Sequence, residues 1–409
     1  MATDRLARMG DALTAHTTRG DVTGLAWLVA HRGEVHTGAA GTMVVGGEQP
    51  VERDTIFRIS SMSKPVTAVG ALMLVEEGEL RLDDAVDDLL PELANRRVLV
   101  DPDGPLDDTV PAHRSITLRD LLTFRLGLGL DFTRFDRQPT IAAMGMLGMG
   151  AGPPSPDAAP EPGEWMRRLG TLPLEFQPGE RWMYHVGADV LGVLVARAAG
   201  QPFEDYLRER VFEPLGMRDT AFFVPADALD RFGPCYTSDP STGVRDTYDD
   251  ADGQWSRPPA FPGGGAGLVS TVDDFFAFAE MLRNGGTHQG TRLLARTSVT
   301  AMTTDHLTSA QKAASGPDPS GAQGWGFGVG VWTRRAGTTW SAGSYGWDGG
   351  LGSTWANDPS EELVGIMLTN EMFTSPALPP VCLDFWTGVY AALPGSTQIP
   401  SSSSSGNGG

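Results

Sequence analysis

Residues 56–78, IFRISSMSKPVTAVGALMLVEEG, constrain the fold more than any other stretch of the chain. Within them Val66, Val69 and Leu72 recur every third position, which is the spacing of a helix with a buried face. The run turns polar at its end and stops at Gly78, a residue typical of the position just after a helix. The stretch therefore predicts a core helix whose first turn carries the polar sequence Ser-Met-Ser-Lys.

The same stretch holds one of only two lysines among the 31 basic residues of the chain. Arginine stays charged at any biological pH, whereas a buried lysine can lose its proton and then act as a base. Ser61 lies three residues before Lys64, so both side chains share one face of a helix that begins near Ser61. The helix dipole also favours a developing alkoxide at this end. Ser61 and Lys64 are thus a candidate nucleophile and base.

The second lysine shows how loose this pattern is, because Ser309 and Lys312 have the same spacing. They lie in HLTSAQKAASGPDPSG, a polar stretch with no long apolar helix behind it. We expect this second pair to lie in a solvated surface loop. The four-residue pattern alone leaves the role of Ser61 open, so the rest of the chain has to decide it.

Strand-like runs lie at both ends of the chain, with a helical insert rich in proline between them. GLAWLVAHRGEVHTGAAG predicts a hairpin that turns at Arg32-Gly33, and GWGFGVGVWT, LGSTWAND and ELVGIMLTN predict strands near the other end. A glycine run at 263–267 precedes a helix that Ser270 or Thr271 would cap. If the strands from the two ends pair in one sheet, the insert forms a second lobe and a cleft lies between the two.

Composition excludes several classes of partner. Acidic side chains outnumber basic ones 51 to 31, and a formal charge of −20 would repel nucleic acid and anionic membrane surfaces. No stretch reaches the roughly 18 uninterrupted apolar residues of a membrane span, and the N-terminus lacks the apolar core of a signal peptide. We therefore expect a cytoplasmic protein without nucleic-acid or membrane partners. The sequence leaves its oligomeric state open, including a homo-oligomer.

No cofactor or metal is predicted. The glycine run 263–267 lacks the Lys-Ser/Thr that completes a phosphate-binding loop, and the seven histidines show no metal-type spacing with carboxylates. His185 is adjacent to Tyr184 and could be a base, but we expect it at the rim of the site. The absence of a Gly-x-Ser-x-Gly motif argues against an α/β-hydrolase.

Five blocks of the sequence, in one order, resemble the serine β-lactamase-like superfamily. The blocks are FRISSMSKPVTAVGALMLVEEGELRLDD, SITLRDLLTFRLGLG, RWMYHVGADVLGVLVARAAGQPFEDYLRERVFEPLGM, GGGAGLVSTVDDFFAFAEMLRNGG and GWDGGLGSTWANDP. The resemblance spans residues 15–395 and is nearest to the family VIII carboxylesterases; the superfamily also includes class C β-lactamases and D-alanyl-D-alanine carboxypeptidases. Five ordered blocks are far more specific than Ser-x-x-Lys alone.

The resemblance implies roles for individual residues. Ser61 would be the acylated nucleophile and Lys64 its partner in proton transfer. Tyr184 matches the tyrosine of the family's Tyr-x-Asn motif, which passes a proton between nucleophile and leaving group; Tyr345 is the rival phenol. The backbone N–H groups of Ser61 and Gly350 would form the oxyanion hole, where two donors stabilise a developing negative charge.

Three departures from the family pattern bear on the substrate. Val186 replaces the asparagine of Tyr-x-Asn, and Trp347-Asp348-Gly349 replaces Lys-Thr-Gly or its His variant. In addition, Phe124-Arg125-Leu126 replaces a polar His-Thr-Ser. The first two changes remove recognition of an anionic, amide-bearing substrate and keep the acylating residues, which favours a neutral and fairly apolar ester. Family VIII esterases often carry Trp at position 347, as this chain does.

The resemblance also implies the fold, which is α+β, an α/β sandwich of the β-lactamase/transpeptidase type. An antiparallel sheet flanked by helices would be formed by residues 1–84 and 251–395. Residues 85–250 would form a mainly helical domain with a Gly/Pro-rich flap at 143–165. The low-complexity residues 396–409 are predicted to be disordered.

The function predicted for the chain is that of a cofactor-free serine hydrolase that cleaves short-chain carboxylic esters through an acyl-enzyme on Ser61. Acyl transfer is a close relative of this reaction. Trp347, Trp165 and Trp255 are expected to wall the acyl pocket. Two alternatives remain, a β-lactamase or D-amino-acid peptidase and a non-catalytic binding protein of the penicillin-binding type.

Overall fold

The computed structural model describes residues 1–150, 152–239, 241–316, 318 and 320–394, so the tail predicted to be disordered lies outside the described residues. The helices are α1 (Thr3–Arg19), α2 (Ser63–Glu76), α3 (Leu118–Leu122), α4 (Pro139–Met146), α5 (Pro162–Thr171), α6 (Val186–Ala199), α7 (Phe203–Leu207), α8 (Glu213–Leu215), α9 (Val272–Arg283), α10 (Arg296–Met302), α11 (Ser309–Ser315) and α12 (Pro380–Ala391). Short 3₁₀ or π turns cover Ser60–Met62, Pro91–Leu93, Arg208–Phe212, Ala226–Arg231 and Gln254–Ser256.

The strands are β1 (Gly24–His31), β2 (Glu34–Gly41), β3 (Phe57–Arg58), β4 (Arg97–Leu99), β5 (Thr109–Pro111), β6 (Cys235–Ser238), β7 (Arg245–Asp249), β8 (Val269–Ser270), β9 (Thr287–His288), β10 (Thr291–Arg292), β11 (Gln323–Trp325), β12 (Gly330–Trp332), β13 (Tyr345–Gly349), β14 (Ser353–Asp358) and β15 (Leu363–Thr369). Seven of them form the main sheet in the order β11-β12-β13-β14-β15-β1-β2. All neighbouring pairs in it are antiparallel.

The two ends of the chain meet in this sheet, because β1 pairs with β15 and places Leu25 opposite Thr369. Helices cover both faces of the sheet, and the predicted α+β fold is confirmed. The proposed domain boundaries stay a prediction. The hairpin predicted at Arg32-Gly33 is also present, with φ values of 51° and 83° at the two turn residues. Positive φ at both positions matches the twist that a two-residue hairpin needs.

Alternation along β1 divides the core into two layers. Leu25, Trp27 and Val29 pack in a cluster with residues of α1 and α12. Ala26 and Leu28 pack on the opposite face, in the larger cluster that contains α2 and α9. Successive side chains of a strand point to opposite faces, so a strand that is apolar throughout has to be covered on both.

Helix α2 is the central helix of the larger layer, as its apolar pattern predicted. Twelve of its residues, from Ser63 to Leu74, are buried. It ends at Glu76, and Gly78 follows with a φ of 81°, the left-handed conformation typical of a residue after a helix. Because the helix is enclosed, a polar side chain in its first turn has to find its partners inside the protein.

The segment predicted as a flap, 143–165, is bounded by regular structure on both sides. It begins inside α4 (Pro139–Met146) and ends inside α5 (Pro162–Thr171), and Ala151 is outside the described residues. Pro162 lies in the first turn of α5, where a missing N–H is tolerated, and the Glu161 carboxylate accepts hydrogen bonds from Gly163 and Glu164. The sequence does not predict these two helices, because glycine and proline dominate the segment between them.

Candidate active site

Ser61 lies in the 3₁₀ turn Ser60–Met62, between strand β3 and helix α2. Strand β3 pairs with β8, which places Phe57 opposite Ser270 and leads the chain to the start of the helix. Ser60 has a φ of 45°, a conformation that non-glycine residues keep only where the surrounding structure enforces it. The turn leaves Ser61 at the wall of a cleft, with 7% of the residue exposed.

Lys64 lies in the first turn of α2 with 1% of the residue exposed. Its Nζ is 2.8 Å from Oγ of Ser61, the contact that the spacing predicted. Nζ also donates to the carbonyl oxygen of Gly265 at 2.6 Å and lies 3.2 Å from Nδ1 of His185. Burial lowers the pKa of Lys64 from 10.5 to about 7, while the Asp189 carboxylate acts in the opposite direction. Near neutral pH this amine is therefore unprotonated often enough to accept the Ser61 proton.

Tyr184 reaches the same point from the turn before α6. Its backbone N–H donates to the carbonyl oxygen of Leu130 at 2.7 Å, which holds the residue at the cleft wall. Its Oη accepts a hydrogen bond from Nε1 of Trp347 at 2.7 Å, and Nζ of Lys64 lies 4.5 Å from its ring centroid. Burial raises the pKa of Tyr184 far above its ordinary value, although hydrogen bonds with Ser61 and Trp347 oppose this effect. The phenol is therefore protonated and can donate.

The backbone around Gly350 suits the predicted oxyanion hole. Ser61 and Gly350 both line the cleft, and their backbone N–H groups have no hydrogen-bond partner among the described residues. Gly349 lets β13 approach the nucleophile's segment closely, because a Cβ there would collide with Oγ of Ser353 and the carbonyl oxygen of Ile59. Oγ of Ser353 donates to that same carbonyl at 2.9 Å. Two available donors at a cleft wall are what a developing oxyanion needs.

Trp347 and Asp348 line the cleft beside Tyr184. The Trp347 indole packs edge-on against Trp325, with ring centroids 4.6 Å apart, so its N–H can reach Tyr184 only in a narrow range of orientations. Burial raises the pKa of Asp348 to about 6, opposed by a hydrogen bond from Thr354, whose Oγ1 lies 2.5 Å from the carboxylate. Position 347 therefore offers a neutral donor in place of the cation of the Lys-Thr-Gly pattern.

The cleft has a volume of about 1240 Å³, and most of its wall is apolar. Phe132 and Phe135 are 40% and 62% exposed, so they present aromatic surface to whatever enters. Other apolar lining residues are Leu130, Leu351, Met372, Phe373 and Leu378. A space of this size and character fits a bulky neutral molecule better than a small charged one.

Four other residues considered as site members lie in the core. Val186 is fully buried at the start of α6 and packs in the main cluster, so it does not line the cleft. Trp165 and Trp255 have 1% and 0% exposure and are likewise absent from the cleft wall, contrary to our expectation for the acyl pocket. Large aromatic rings gain most from full burial. The sequence alone does not distinguish a fully buried tryptophan from one that lines a pocket. Tyr345 accepts a hydrogen bond from Asn357 in the core.

Ser309 lies at the surface, as predicted, and Lys312 is partly exposed, but the segment that carries them is a helix and not a loop. They lie on the short helix α11 at the edge of the cleft, where Thr308 and Gln311 form a capping box. Capping of this kind stabilises a short polar helix that has no apolar stripe. Nζ of Lys312 donates to Asp305 at 2.7 Å, so its charge is already paired.

Asp189 and Gly265 contribute to the site without having a predicted role there, and a third contributor, His185, lies elsewhere than predicted. His185 is not at the rim, since 8% of it is exposed and its ring touches Lys64. Asp189 contacts Nε2 of His185 at 3.2 Å and accepts the N–H of Gly265 at 2.8 Å. The signal was present, because His185 and Asp189 are four residues apart at the start of a helix and the glycine run lacked a function.

No helix in the described part of the chain is both long and apolar enough to cross a bilayer. Within the described ranges, no three His, Cys, Asp or Glu residues converge in an arrangement that could hold a metal ion. Cys235 and Cys382 are buried free thiols.

An antiparallel sheet between helical layers, with a serine–lysine pair at the start of a buried helix, is the β-lactamase/transpeptidase-like fold. The Beta-lactamase family model matches residues 9–379, and the chain belongs to this family.

Similar proteins include two named as esterases. Esterase EstB of Burkholderia gladioli is 33% identical over 377 residues, which covers 86% of this chain and 87% of that protein. Lovastatin esterase of Penicillium rubens is 31% identical over 350 residues, covering 80% and 82%. The solved structure of EstCE1, described as a hydrolase with promiscuous acyltransferase activity, superposes with a TM-score of 0.79 at 26% identity and covers 95% of this chain and 99% of its own.

Proposed function

We propose that this protein is a family VIII-type serine esterase that cleaves neutral carboxylic esters through an acyl-enzyme on Ser61. The observation that carries the proposal is the 2.8 Å contact between Nζ of Lys64 and Oγ of Ser61, made by a buried amine whose pKa is about 7. The similarity to EstB and to lovastatin esterase supports an ester as the substrate. The apolar cleft supports a neutral one.

Acylation begins when Lys64 takes the proton of Ser61 and Oγ attacks the ester carbonyl carbon. The carbonyl oxygen becomes an oxyanion and accepts hydrogen bonds from the N–H groups of Ser61 and Gly350. The intermediate then collapses, the bond to the alcohol breaks, and Tyr184 donates its phenolic proton to the leaving oxygen. The Lys64 ammonium restores that proton, so the site ends with an acyl group on Ser61 and neutral partners.

Deacylation repeats these steps with water as the nucleophile. Lys64 takes up the phenolic proton of Tyr184, and Tyr184 accepts a proton from the water that attacks the acyl carbon. The bond between the acyl carbon and Oγ of Ser61 then breaks, and the Lys64 ammonium returns its proton to Oγ. If an alcohol takes the place of water, the same steps transfer the acyl group to that alcohol. The similarity to EstCE1, a hydrolase with promiscuous acyltransferase activity, supports acyl transfer as a side activity, and the open cleft leaves room for an acceptor.

The substrate is proposed to combine a short apolar acyl group with a bulkier apolar alcohol. The acyl group has to fit near Ser61 and Trp347, where the wall is closely packed by aromatic rings. The remaining space, lined by Phe132, Phe135 and Leu378, is left for the alcohol. A cleft of about 1240 Å³ is far larger than a short-chain ester needs.

Neither of the two alternative functions, a β-lactamase or D-amino-acid peptidase and a non-catalytic binding protein, is supported by a feature of the site. A β-lactam or D-amino-acid peptide carries a carboxylate, and position 347 supplies a neutral indole that already donates to Tyr184. A non-catalytic binding protein would have no use for a buried lysine with a lowered pKa, since burial of a lysine is costly.

The test compares p-nitrophenyl butyrate and a p-nitrophenyl ester of a longer acid with a chromogenic cephalosporin and a D-alanyl-D-alanine peptide. We expect ester turnover to dominate, and rapid lactam turnover with negligible ester cleavage would overturn the proposal. A fluorophosphonate should label Ser61 and leave Ser309, the serine of the second Ser-x-x-Lys, unlabelled. An unlabelled Ser61 peptide in mass spectrometry would indicate a binding protein.

The role of Lys64 has its own matched pair of variants. Lys64→Arg should fold but lose nearly all turnover, because a guanidinium stays protonated and cannot accept a proton. Lys312→Arg makes the same change in the other Ser-x-x-Lys sequence and should keep full activity. Retained turnover in Lys64→Arg would refute the role of Lys64 as base.

A further inference from the structure

A chain of three side chains leads away from the nucleophile behind Lys64. Nζ of Lys64 lies 3.2 Å from Nδ1 of His185, and Nε2 of the same ring lies 3.2 Å from Oδ2 of Asp189. Oδ1 of Asp189 accepts the backbone N–H of Gly265 at 2.8 Å, and the carbonyl oxygen of Gly265 accepts from Lys64 at 2.6 Å. The lysine is thus held by one closed ring of contacts, and Ser61 lies outside that ring.

The number of donors on a neutral amine explains why the ring matters. A neutral lysine has two N–H donors and one lone pair. One N–H is taken by the carbonyl oxygen of Gly265, which can only accept. If the second N–H goes to Nδ1 of His185, the lone pair is left for the third contact, which is the hydroxyl of Ser61. If Nδ1 carries a proton instead, it competes with Ser61 for the lone pair.

The tautomer of His185 therefore decides where the Lys64 lone pair points, and Asp189 sets that tautomer. A carboxylate accepts only, so its contact with Nε2 of His185 requires the ring proton to be on that nitrogen. The Gly265 N–H occupies the other carboxylate oxygen and fixes the orientation of the group. A Cβ at Gly265 would lie 2.9 Å from Oδ1 of Asp189 and 3.1 Å from the His185 ring, so glycine permits this approach.

The backbone at His185 is strained in the same place. Its φ of 80° and ψ of −67° define a γ-turn with positive φ, closed by a hydrogen bond of 3.1 Å from the N–H of Val186 to the carbonyl oxygen of Tyr184. This conformation is rare and costs free energy for any residue with a Cβ. The turn directs the phenol of Tyr184 and the imidazole of His185, two successive side chains, toward the same lysine.

We infer that His185 and Asp189 are positioning residues for the proposed reaction: Asp189 keeps the His185 proton on Nε2, and Nδ1 then accepts one Lys64 N–H and turns the lysine lone pair toward Ser61. This inference rests on the proposed function, in which Lys64 is the base. After proton transfer the same contact stabilises the Lys64 ammonium, because the His185 ring connects it to the negatively charged Asp189. His185 exchanges no proton with the substrate in this scheme.

The variant Asp189→Asn tests the tautomer with little change of shape. The Asn carbonyl oxygen can still accept the Gly265 N–H, which turns its amide N–H₂ toward Nε2 of His185. The ring then has to accept there and carry its proton on Nδ1, facing Lys64. We expect kcat for p-nitrophenyl butyrate to fall about 10²-fold, the loss typical of a misdirected base, with KM changed less than about threefold.

A double-mutant cycle separates this effect from a general role of Asp189. His185→Asn keeps an acceptor oxygen near the position of Nδ1, tolerates positive φ, and has no ring to change tautomer. Adding Asp189→Asn to that variant should lower kcat by less than about threefold. An equal loss in both backgrounds, or a single variant Asp189→Asn with kcat within about threefold of wild type, would overturn the inference.

Asp384→Asn is the matched control, since Asp384 makes a similar contact, 2.8 Å from Nε2 of the buried His16, outside the cleft. It should leave kcat and KM unchanged.

A spectroscopic measurement needs no esterase activity. Two-bond ¹H–¹⁵N spectra of histidine-labelled protein distinguish the tautomers, and the His185 signal is the one that His185→Asn removes. Wild type should show the proton on Nε2, and Asp189→Asn should show it on Nδ1. A wild-type ring protonated on Nδ1 would overturn the inference even if ester turnover is high. If wild type hydrolyses no ester but its His185 carries the proton on Nε2, and Asp189→Asn moves that proton to Nδ1, the proposed function fails and the described geometry stands.

Discussion

Removing the buried amine of Lys64 should change how the free energy of unfolding depends on pH. Burial lowers the pKa of Lys64 in the folded protein from 10.5 to about 7. Between these two pH values the unfolded chain binds a proton that the folded protein does not. Stability therefore rises with pH across this interval, because the unfolded state binds more protons there. In Lys64→Met no amine titrates, so this contribution disappears.

The size of the effect follows from the interval. One pH unit corresponds to about 1.4 kcal/mol when one proton separates the two states. From pH 7 to pH 10.5 the amine then contributes about 4 kcal/mol of increasing stability to the wild type, because the two states differ by only half a proton at each end of the interval. Lys64→Met also loses the hydrogen bonds to Ser61 and Gly265, but that loss is nearly the same at every pH. The slope against pH, and not the absolute stability, therefore carries the prediction.

Urea unfolding of wild type, Lys64→Met and Lys312→Met at pH 7, 8 and 9 measures this slope. The free energy of unfolding of wild type, minus that of Lys64→Met, should increase by about 1 kcal/mol per pH unit. Lys312→Met controls for the loss of a lysine as such, because Lys312 is at the cleft edge and paired with Asp305. Parallel curves for wild type and Lys64→Met would refute the lowered pKa. The same group should give kcat/KM an acid limb near pH 7.

Three further variants address residues in the cleft wall and in the core behind it. Trp347→Phe removes the indole N–H whose nitrogen lies 2.7 Å from Oη of Tyr184 and keeps an aromatic wall. We expect kcat to fall about tenfold, with KM within about threefold of the wild-type value. An unchanged kcat would show that this hydrogen bond is dispensable. Val186→Asn buries an amide in the apolar core, so it should lower the free energy of unfolding by about 2 kcal/mol without creating lactamase activity. A gain of lactamase activity in a cephalosporin assay would contradict the burial of this side chain. Gly349→Ala should lower both the melting temperature and turnover, because its Cβ meets Ser353 and Ile59. A Cβ at Gly350 meets nothing within 4 Å, so Gly350→Ala should keep the melting temperature of wild type. Equal melting temperatures for the two variants would refute the close approach at Gly349.

Local features of the fold were readable from the sequence because their causes are local. The periodic apolar residues of α2, the turn at Arg32-Gly33 and the cap of α9 at Thr271 depend on neighbours within a few positions. The family resemblance added the antiparallel sheet and the pairing of the two chain ends. The sequence pattern did not predict helix α11, where a capping box outweighs an unfavourable composition. It also did not predict α4 and α5, because the connection between them is rich in glycine and proline.

The sequence by itself determined that Ser61 and Lys64 lie on one helical face in the core, because helical geometry brings residues three apart together. Only the tertiary structure decided which distant groups complete their surroundings. Gly265 and His185 contact Lys64 from elsewhere in the chain, and Asp189 holds both of them. Trp165, Trp255 and Val186 turn into the core instead of the cleft. The pKa of the lysine is likewise a tertiary property, because it depends on how completely the packed chain excludes water from one amine.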